Sequence, residues 1–196
     1  MATGKITRDE LLSLEDYSRQ RAEFRQKVMA HKAKRRAHIG RHATLIFEDR
    51  LTMQYQVQEM LRVEKIFEDE GIEEELASYN PLIPDGDNWK ATLMIEYPDP
   101  SDRAQHLSRL IGVEDRVWVK VGGHDRVYPI ADEDLERETE EKTSSVHFLR
   151  WQLTPAMISA LKGGDSLSIG IDHEHYREAL EPVPDHLRAT LLEDLA

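Results

Sequence analysis

The chain contains no cysteine. Disulfides, thiolate zinc sites, cysteine-ligated iron–sulfur clusters and cysteine nucleophiles are therefore excluded for this chain. It also lacks an apolar run of the roughly 18 residues that a membrane helix requires. Its N-terminus, MATGKITRDELLSLEDY, is polar and acidic where a signal peptide carries an apolar core. These absences set the expectation of a cytoplasmic protein with no membrane span. Several chemical motifs are missing too. There is no GxxxxGK[ST] phosphate loop and no GxGxxG after a strand. No GxSxG elbow surrounds Ser144 and Ser145, and the acidic run from Asp132 to Glu141 lacks EF-hand spacing.

What is present is charge, unevenly spread. The net charge is -12, yet Arg25, Lys27, Lys32, Lys34, Arg35, Arg36 and Arg41 fall within 18 residues that hold no acid. A basic segment on an acidic body can meet nucleic acid, an acidic partner or the chain's own acidic surface. No aromatic that could stack on a base lies between Arg25 and His42, which argues against nucleic acid and for protein.

The pattern along the chain predicts helices first and strands later. Ser13 precedes a helix from about Leu14 to Arg35, with Leu14, Tyr17, Phe24 and Val28 as its apolar stripe. His42–Phe47 reads as a short strand. A second helix is expected from Leu51 to Glu70, stopping at Gly71, and a short acidic helix from Glu73 to Tyr79. After the Pro- and Gly-rich loop at 80–87 come a strand (Lys90–Tyr97) and a helix from Asp99 to Gly112. A hairpin follows, with arms Arg116–Val121 and Arg126–Ile130 about Gly122-Gly123. Then come an acidic helix at Asp132–Glu141, a strand (Val146–Leu153), a helix capped by Thr154, a last core strand (Ser166–Ile171) and a tail with a small helix. This order reads as α+β: a mostly antiparallel sheet of about five strands packed against helices, with a long N-terminal helix. One domain over residues 1–196 is expected, with a mainly helical part (1–79), a strand-rich part (80–176) and a C-terminal tail (177–196).

Two constellations could carry chemistry. In the second helix, Met53, Val57, Met60, Ile66 and Phe67 recur at helical steps, flanked by Gln54, Gln58, Glu59, Arg62 and Glu64. Polar groups beside a buried stripe need partners, so this flank forms a hydrogen-bonded network or lines a site. Glu59 and Arg62 are spaced for an intrahelical ion pair. A di-iron centre would need His where Arg62 stands. The second constellation is histidine. His173 and His175 face the same way on an extended segment, with His147 and His124 as further ligands near the same sheet end. Such a site would hold one zinc, iron or manganese ion.

The segments FEDRLTMQYQVQEMLRVEKIFE, YNPLIPDG, VEDRVW, ADEDLERE and EEKTSSVHFLR resemble a bacterial family catalogued as domain of unknown function 3501. The resemblance runs from near Thr7 to Tyr176 and leaves the tail from Glu178 outside. The Asp172-His173 pair and Tyr176 are similar to the family pattern. Members are often encoded beside rubrerythrin-like and iron–sulfur proteins, which implies a role in redox metabolism. Two readings follow. One is an accessory protein for a rubrerythrin-like or iron–sulfur partner. The other is a metal-binding protein or metal-dependent enzyme using the sheet-end histidines.

Overall fold

A computed structural model describes residues 4–134, 137, 139 and 141–196. The N-terminal segment enters helix α1 (Leu14–Lys34) through Ser13, whose side chain accepts the Asp16 N–H. Acids at Glu15 and Asp16 and the lysines Lys32 and Lys34 match the two ends of the helix dipole. Helix α2 (Arg50–Val63) starts at Asp49, which accepts the Thr52 N–H while the Thr52 hydroxyl accepts the Asp49 N–H. The two helices run antiparallel, because Gln58 meets Leu12, Glu59 meets Tyr17, and His31 meets Asp49.

Helix α2 is shorter than its apolar spacing predicts. It ends at Val63, and Lys65 turns into the left-handed region with φ 54°. Helix α3 (Asp69–Tyr79) then carries Gly71 within it, so Gly71 is not the stop. Met53, Val57 and Leu61 of α2 pack with Ile72 and Leu76 of α3, and with Ile6, Leu11 and Ile83, in a small helical core. Phe67, expected on the buried stripe, is 70% exposed.

The strands form two antiparallel sheets. The larger has the order β1-β2-β3-β6-β5, with β1 at Arg36–Ile39, β2 at Ala43–Phe47, β3 at Asn88–Ile95, β5 at Ile130–Ala131 and β6 at Val146–Gln152. The smaller has the order β4-β7-β8, with β4 at Val117–Val121, β7 at Leu167–His173 and β8 at Tyr176–Leu180. The inward residues of both sheets join one core that includes Leu45, Phe47, Trp89, Leu93, Trp151, Val119 and Ile169. The buried indoles are satisfied, Trp89 donating to the Leu191 carbonyl and Trp151 to the Val117 carbonyl, both at 2.9 Å. The architecture is α+β, as expected. The division into two sheets was not expected, nor were β1 and β8; β4 and β7 were.

The remaining helices are α4 (Pro100–Arg109), α5 (Pro155–Lys162) and α6 (Asp185–Leu192). Thr154 caps α5 by accepting the Met157 N–H. Leu187, Leu191 and Leu195 of the tail are buried in the main core. The expected hairpin is modified. Val127 pairs with Val119, but beyond Pro129 the chain crosses to the other sheet, where Ile130 and Ala131 pair with Arg150 and Leu149. Proline has no N–H to continue the ladder, so the crossing falls there. The expected acidic helix at Asp132–Glu141 falls partly on residues outside those described. Asp132, Glu133 and Asp134 are not helical. No helix among the described residues is long and apolar enough to cross a membrane.

Candidate metal centre

His147 is the second residue of β6 and faces inward in step with Leu149 and Trp151. Its side chain is completely buried. A buried imidazole needs a partner at each nitrogen. At one edge Nδ1 lies 2.6 Å from Asp132 Oδ2. At the other, Nε2 lies 2.9 Å from Thr143 Oγ1, 3.1 Å from the Ser144 carbonyl and 3.8 Å from Glu114 Oε2. The Thr143 hydroxyl in turn lies 3.4 Å from Glu114 Oε2.

Three separate segments supply these groups. Glu114 sits in the single-turn 3-10 helix (Val113–Arg116) that leads into β4, and it is 5% exposed. Thr143 precedes β6 and is anchored by its N–H to the Leu107 carbonyl of α4. Asp132 follows β5 with φ 48°, a left-handed conformation that Asp tolerates better than most residues. That turn aims the carboxylate back at the sheet. Oδ1 accepts the Phe148 N–H at 2.9 Å and Arg137 Nη1 at 3.2 Å, while Oδ2 holds His147. Arg137 also binds Asp134 and lies 4.6 Å from the Phe148 ring centroid. Its guanidinium pKa is raised, first by the Asp134 carboxylate.

The arrangement has a definite chemical sense. An Nδ1–H donated to Asp132 fixes the tautomer and turns the Nε2 lone pair toward Glu114, Thr143 and the Ser144 carbonyl. A carboxylate behind a ligating histidine is the usual support of a metal site. Neighbouring ligands of an octahedral ion with bonds near 2.1 Å stand about 3 Å apart. The separations of 2.9 and 3.1 Å from Nε2 to Thr143 and Ser144 are of that size, while Glu114 Oε2 stands wider, 3.4 Å from Thr143 Oγ1 and 3.8 Å from Nε2. Among the described residues, Glu114, Asp132 and His147 are the cluster whose ligand atoms all lie within 4.8 Å.

The other expected ligands are placed elsewhere. His173, at the end of β7, donates Nε2–H to the Ile111 carbonyl at 3.0 Å and accepts the His175 N–H on Nδ1 at 3.2 Å. Both its nitrogens are engaged by the backbone, which leaves no lone pair for an ion. His175 is exposed, and His124 lies in the turn after β4. His147 therefore keeps its place as a candidate ligand, in different company. Glu114 and Asp132 were missed because each lies among other acids.

The polar flank of α2 forms a separate network. Gln58 is buried and grips the Leu12 backbone, accepting its N–H at 2.7 Å and donating to its carbonyl at 3.3 Å. Gln54 donates to the Glu10 carbonyl at 3.2 Å. Glu59 accepts the Tyr17 hydroxyl at 2.6 Å and two N–H groups of Arg21, at 2.7 and 3.0 Å. Its partner is thus Arg21 of α1 and not Arg62, which is exposed, as is Glu64. Arg21 holds the Glu59 carboxyl below the usual glutamate range, against the opposing effect of burial. Burial and the Glu59 carboxylate together raise the Tyr17 hydroxyl.

The fold and site thus define an α+β protein of two antiparallel sheets with a buried His–carboxylate centre at their junction. The chain belongs to the family described as a protein of unknown function, DUF3501, whose model matches residues 5–195. That span includes the tail, correcting the narrower resemblance; the burial of Leu187, Leu191 and Leu195 explains why. The chain is similar to a crystal structure of a novel protein of unknown function from Burkholderia pseudomallei K96243. The identity is 50% and the TM-score 0.93, over 98% of this chain and 100% of that one. No curated protein matches the chain.

Proposed function

We propose that this is a metal-binding protein that holds one divalent ion of the zinc, iron or manganese class. His147 Nε2 and Glu114 would be ligands, Thr143 and the Ser144 carbonyl would complete the oxygen set, and Asp132 would orient the imidazole. The observation that carries this reading is a fully buried imidazole nitrogen facing a buried carboxylate, a hydroxyl and a carbonyl within 3.8 Å. One imidazole among oxygens suits borderline and hard ions. A closed site suits holding an ion more than exchanging substrates on it. Metal analysis after purification and chelation-reload would test it. One equivalent of zinc, iron or manganese is expected, lost in His147→Gln and Glu114→Gln. Wild-type protein that binds none of the three ions would overturn the reading.

A second reading, an accessory protein for a rubrerythrin-like or iron–sulfur partner, is favoured by one surface. Val63 and Phe67, at 59% and 70% exposure, project from the α2–α3 turn. Exposed large apolar groups at one site suit a protein contact. Affinity capture from the native host should then yield a rubrerythrin-like or iron–sulfur protein with wild type and not with Phe67→Ser. Equal capture by both, or capture of neither class, would remove this reading.

A further inference from the structure

The outward face of the smaller sheet is built around a tryptophan lying flat. Trp118 of β4 is in register with Gly170 of β7, and Gly170 with Ala179 of β8. A Cβ at Gly170 would stand 2.3 Å from Trp118 Cζ2, so the missing side chain is what lets the indole cross the sheet. Arg126 covers the indole with its guanidinium carbon 4.0 Å from the ring centroid, and Arg116 lies 5.1 Å from that of Tyr128. Asp172 joins them. It meets Arg116 Nε at 3.0 Å and Arg126 Nη1 at 3.1 Å, and accepts the Tyr128 hydroxyl at 2.5 Å. Arg177 stands directly across from Asp172 in the β7–β8 register.

Three arginines from three segments therefore border one depression of about 570 Å³, together with Trp118, Asp172 and Glu181. Glu178 also borders it, but its stem packs toward Gly40, where an added Cβ would meet Glu178 Cγ at 2.6 Å. The guanidinium charges thus outnumber the nearby carboxylates on this face. Each guanidinium has five N–H donors. Asp172 Oδ2 takes one from Arg126, while Arg116 meets Oδ1 as an ion pair without a hydrogen bond, and the two side chains remain 43% and 48% exposed. Aromatic faces and Asp172 fix both planes before any ligand arrives. Fixed planar forks of this kind recognise oxoanions in two-point contacts. We infer that this face is a binding site for a phosphate group, gripped by Arg116, Arg126 and Arg177.

The inference is independent of the metal centre, because none of these residues is a proposed metal ligand. Arginine side-chain N–H signals of the full chain, followed by NMR during titration with inorganic phosphate, test it. Saturable shifts are expected at the Nε–H groups of Arg116 and Arg126. Sodium chloride at matched ionic strength should leave them in place. Arg177 is in neither ion pair of Asp172, so Arg177→Ala should keep the fold and weaken phosphate binding about tenfold or more, the effect of one lost charge-assisted hydrogen bond. Arg126→Lys keeps the charge and should still weaken binding. Shifts that track ionic strength alike for chloride and phosphate would overturn the inference. So would unchanged affinity in both variants.

Discussion

Replacing Glu59 by Gln tests the largest correction that the structure makes to the sequence pattern. The carboxylate accepts three hydrogen bonds from α1, one from Tyr17 and two from Arg21, and it is the polar centre of the α1–α2 seam. Glutamine keeps one acceptor oxygen and turns an amide N–H₂ toward the guanidinium. A hydrogen bond to a charged group contributes about 1.5–3 kcal/mol when fully buried. The Glu59 side chain retains 18% exposure, so solvent screening reduces that figure. A loss of about 1–2 kcal/mol at pH 7 is expected by urea denaturation.

The loss should depend on pH in a definite direction. The folded carboxyl lies below its ordinary 4.5, chiefly because of Arg21. A depressed carboxyl stabilises the fold above its unfolded pKa, and that contribution disappears as pH falls through the folded pKa. The gap between wild type and Glu59→Gln should therefore be full at neutral pH and close well below pH 4.5. In a double-mutant cycle, Glu59→Gln should couple more strongly to Arg21→Gln than to Arg62→Gln, whose charge also lowers the Glu59 carboxyl but least. Equal stability of wild type and Glu59→Gln at pH 7 would refute the reasoning. Stronger coupling to Arg62 would restore the intrahelical pair that the spacing alone suggests.

Three further outcomes are expected. Gly170→Ala forces a methyl against Trp118 and should destabilise by about 1–3 kcal/mol in chemical denaturation; a neutral result would mean that the indole does not lie flat on the sheet. Met53→Ala should cost about 2–5 kcal/mol, whereas Phe67→Ser should stay within about 0.5 kcal/mol, and similar costs at the two positions would place α2 and its break wrongly. Asp132→Asn should keep the fold by circular dichroism but weaken metal binding about 10–100-fold in chelator competition, and unchanged affinity would remove Asp132 from the centre.

What was legible in the sequence was local. The start of α1 could be read because Ser13 and the acids after it act within one turn. The end of α2 could not. Ile66 and Phe67 continue the helical spacing, and the chain breaks at Lys65, a residue with no breaker chemistry. Strand β1 was hidden inside the basic run, since four residues alternating exposed and buried become a strand only when β2 pairs with them. The same division runs through the candidate centre. His147 could be singled out as a histidine on a strand that the pattern shows, although the structure puts that strand and the strand of His173 in different sheets. Choosing Glu114 over Asp115 required the 3-10 turn. Choosing Asp132 over Glu133 and Asp134 required a left-handed backbone that no pattern announces.

Three groups of buried or half-buried charge lie where distant parts of the chain meet, and they differ in how the positive charge is supplied. At the junction of α1, β2 and the C-terminus, Arg35 is 1% exposed and donates to Asp194 and to the Phe47 carbonyl. Arginine stays protonated at any working pH, so that junction carries its own permanent cation. At the α1–α2 seam Arg21 plays the same part for Glu59. The centre between the sheets is different. There, the group facing Glu114 from β6 is His147, which is cationic only while it holds both ring protons. A divalent ion at Nε2 would supply positive charge without the proton, and the two must compete for one lone pair. Metal affinity should therefore rise with pH. The Arg21 seam stays unchanged over that range because the Glu59 carboxyl lies below its ordinary 4.5, whereas burial pushes the Asp194 carboxyl of the Arg35 seam up to about 6, so that seam titrates as well. An affinity independent of pH in wild type would show that the ion does not bind at His147.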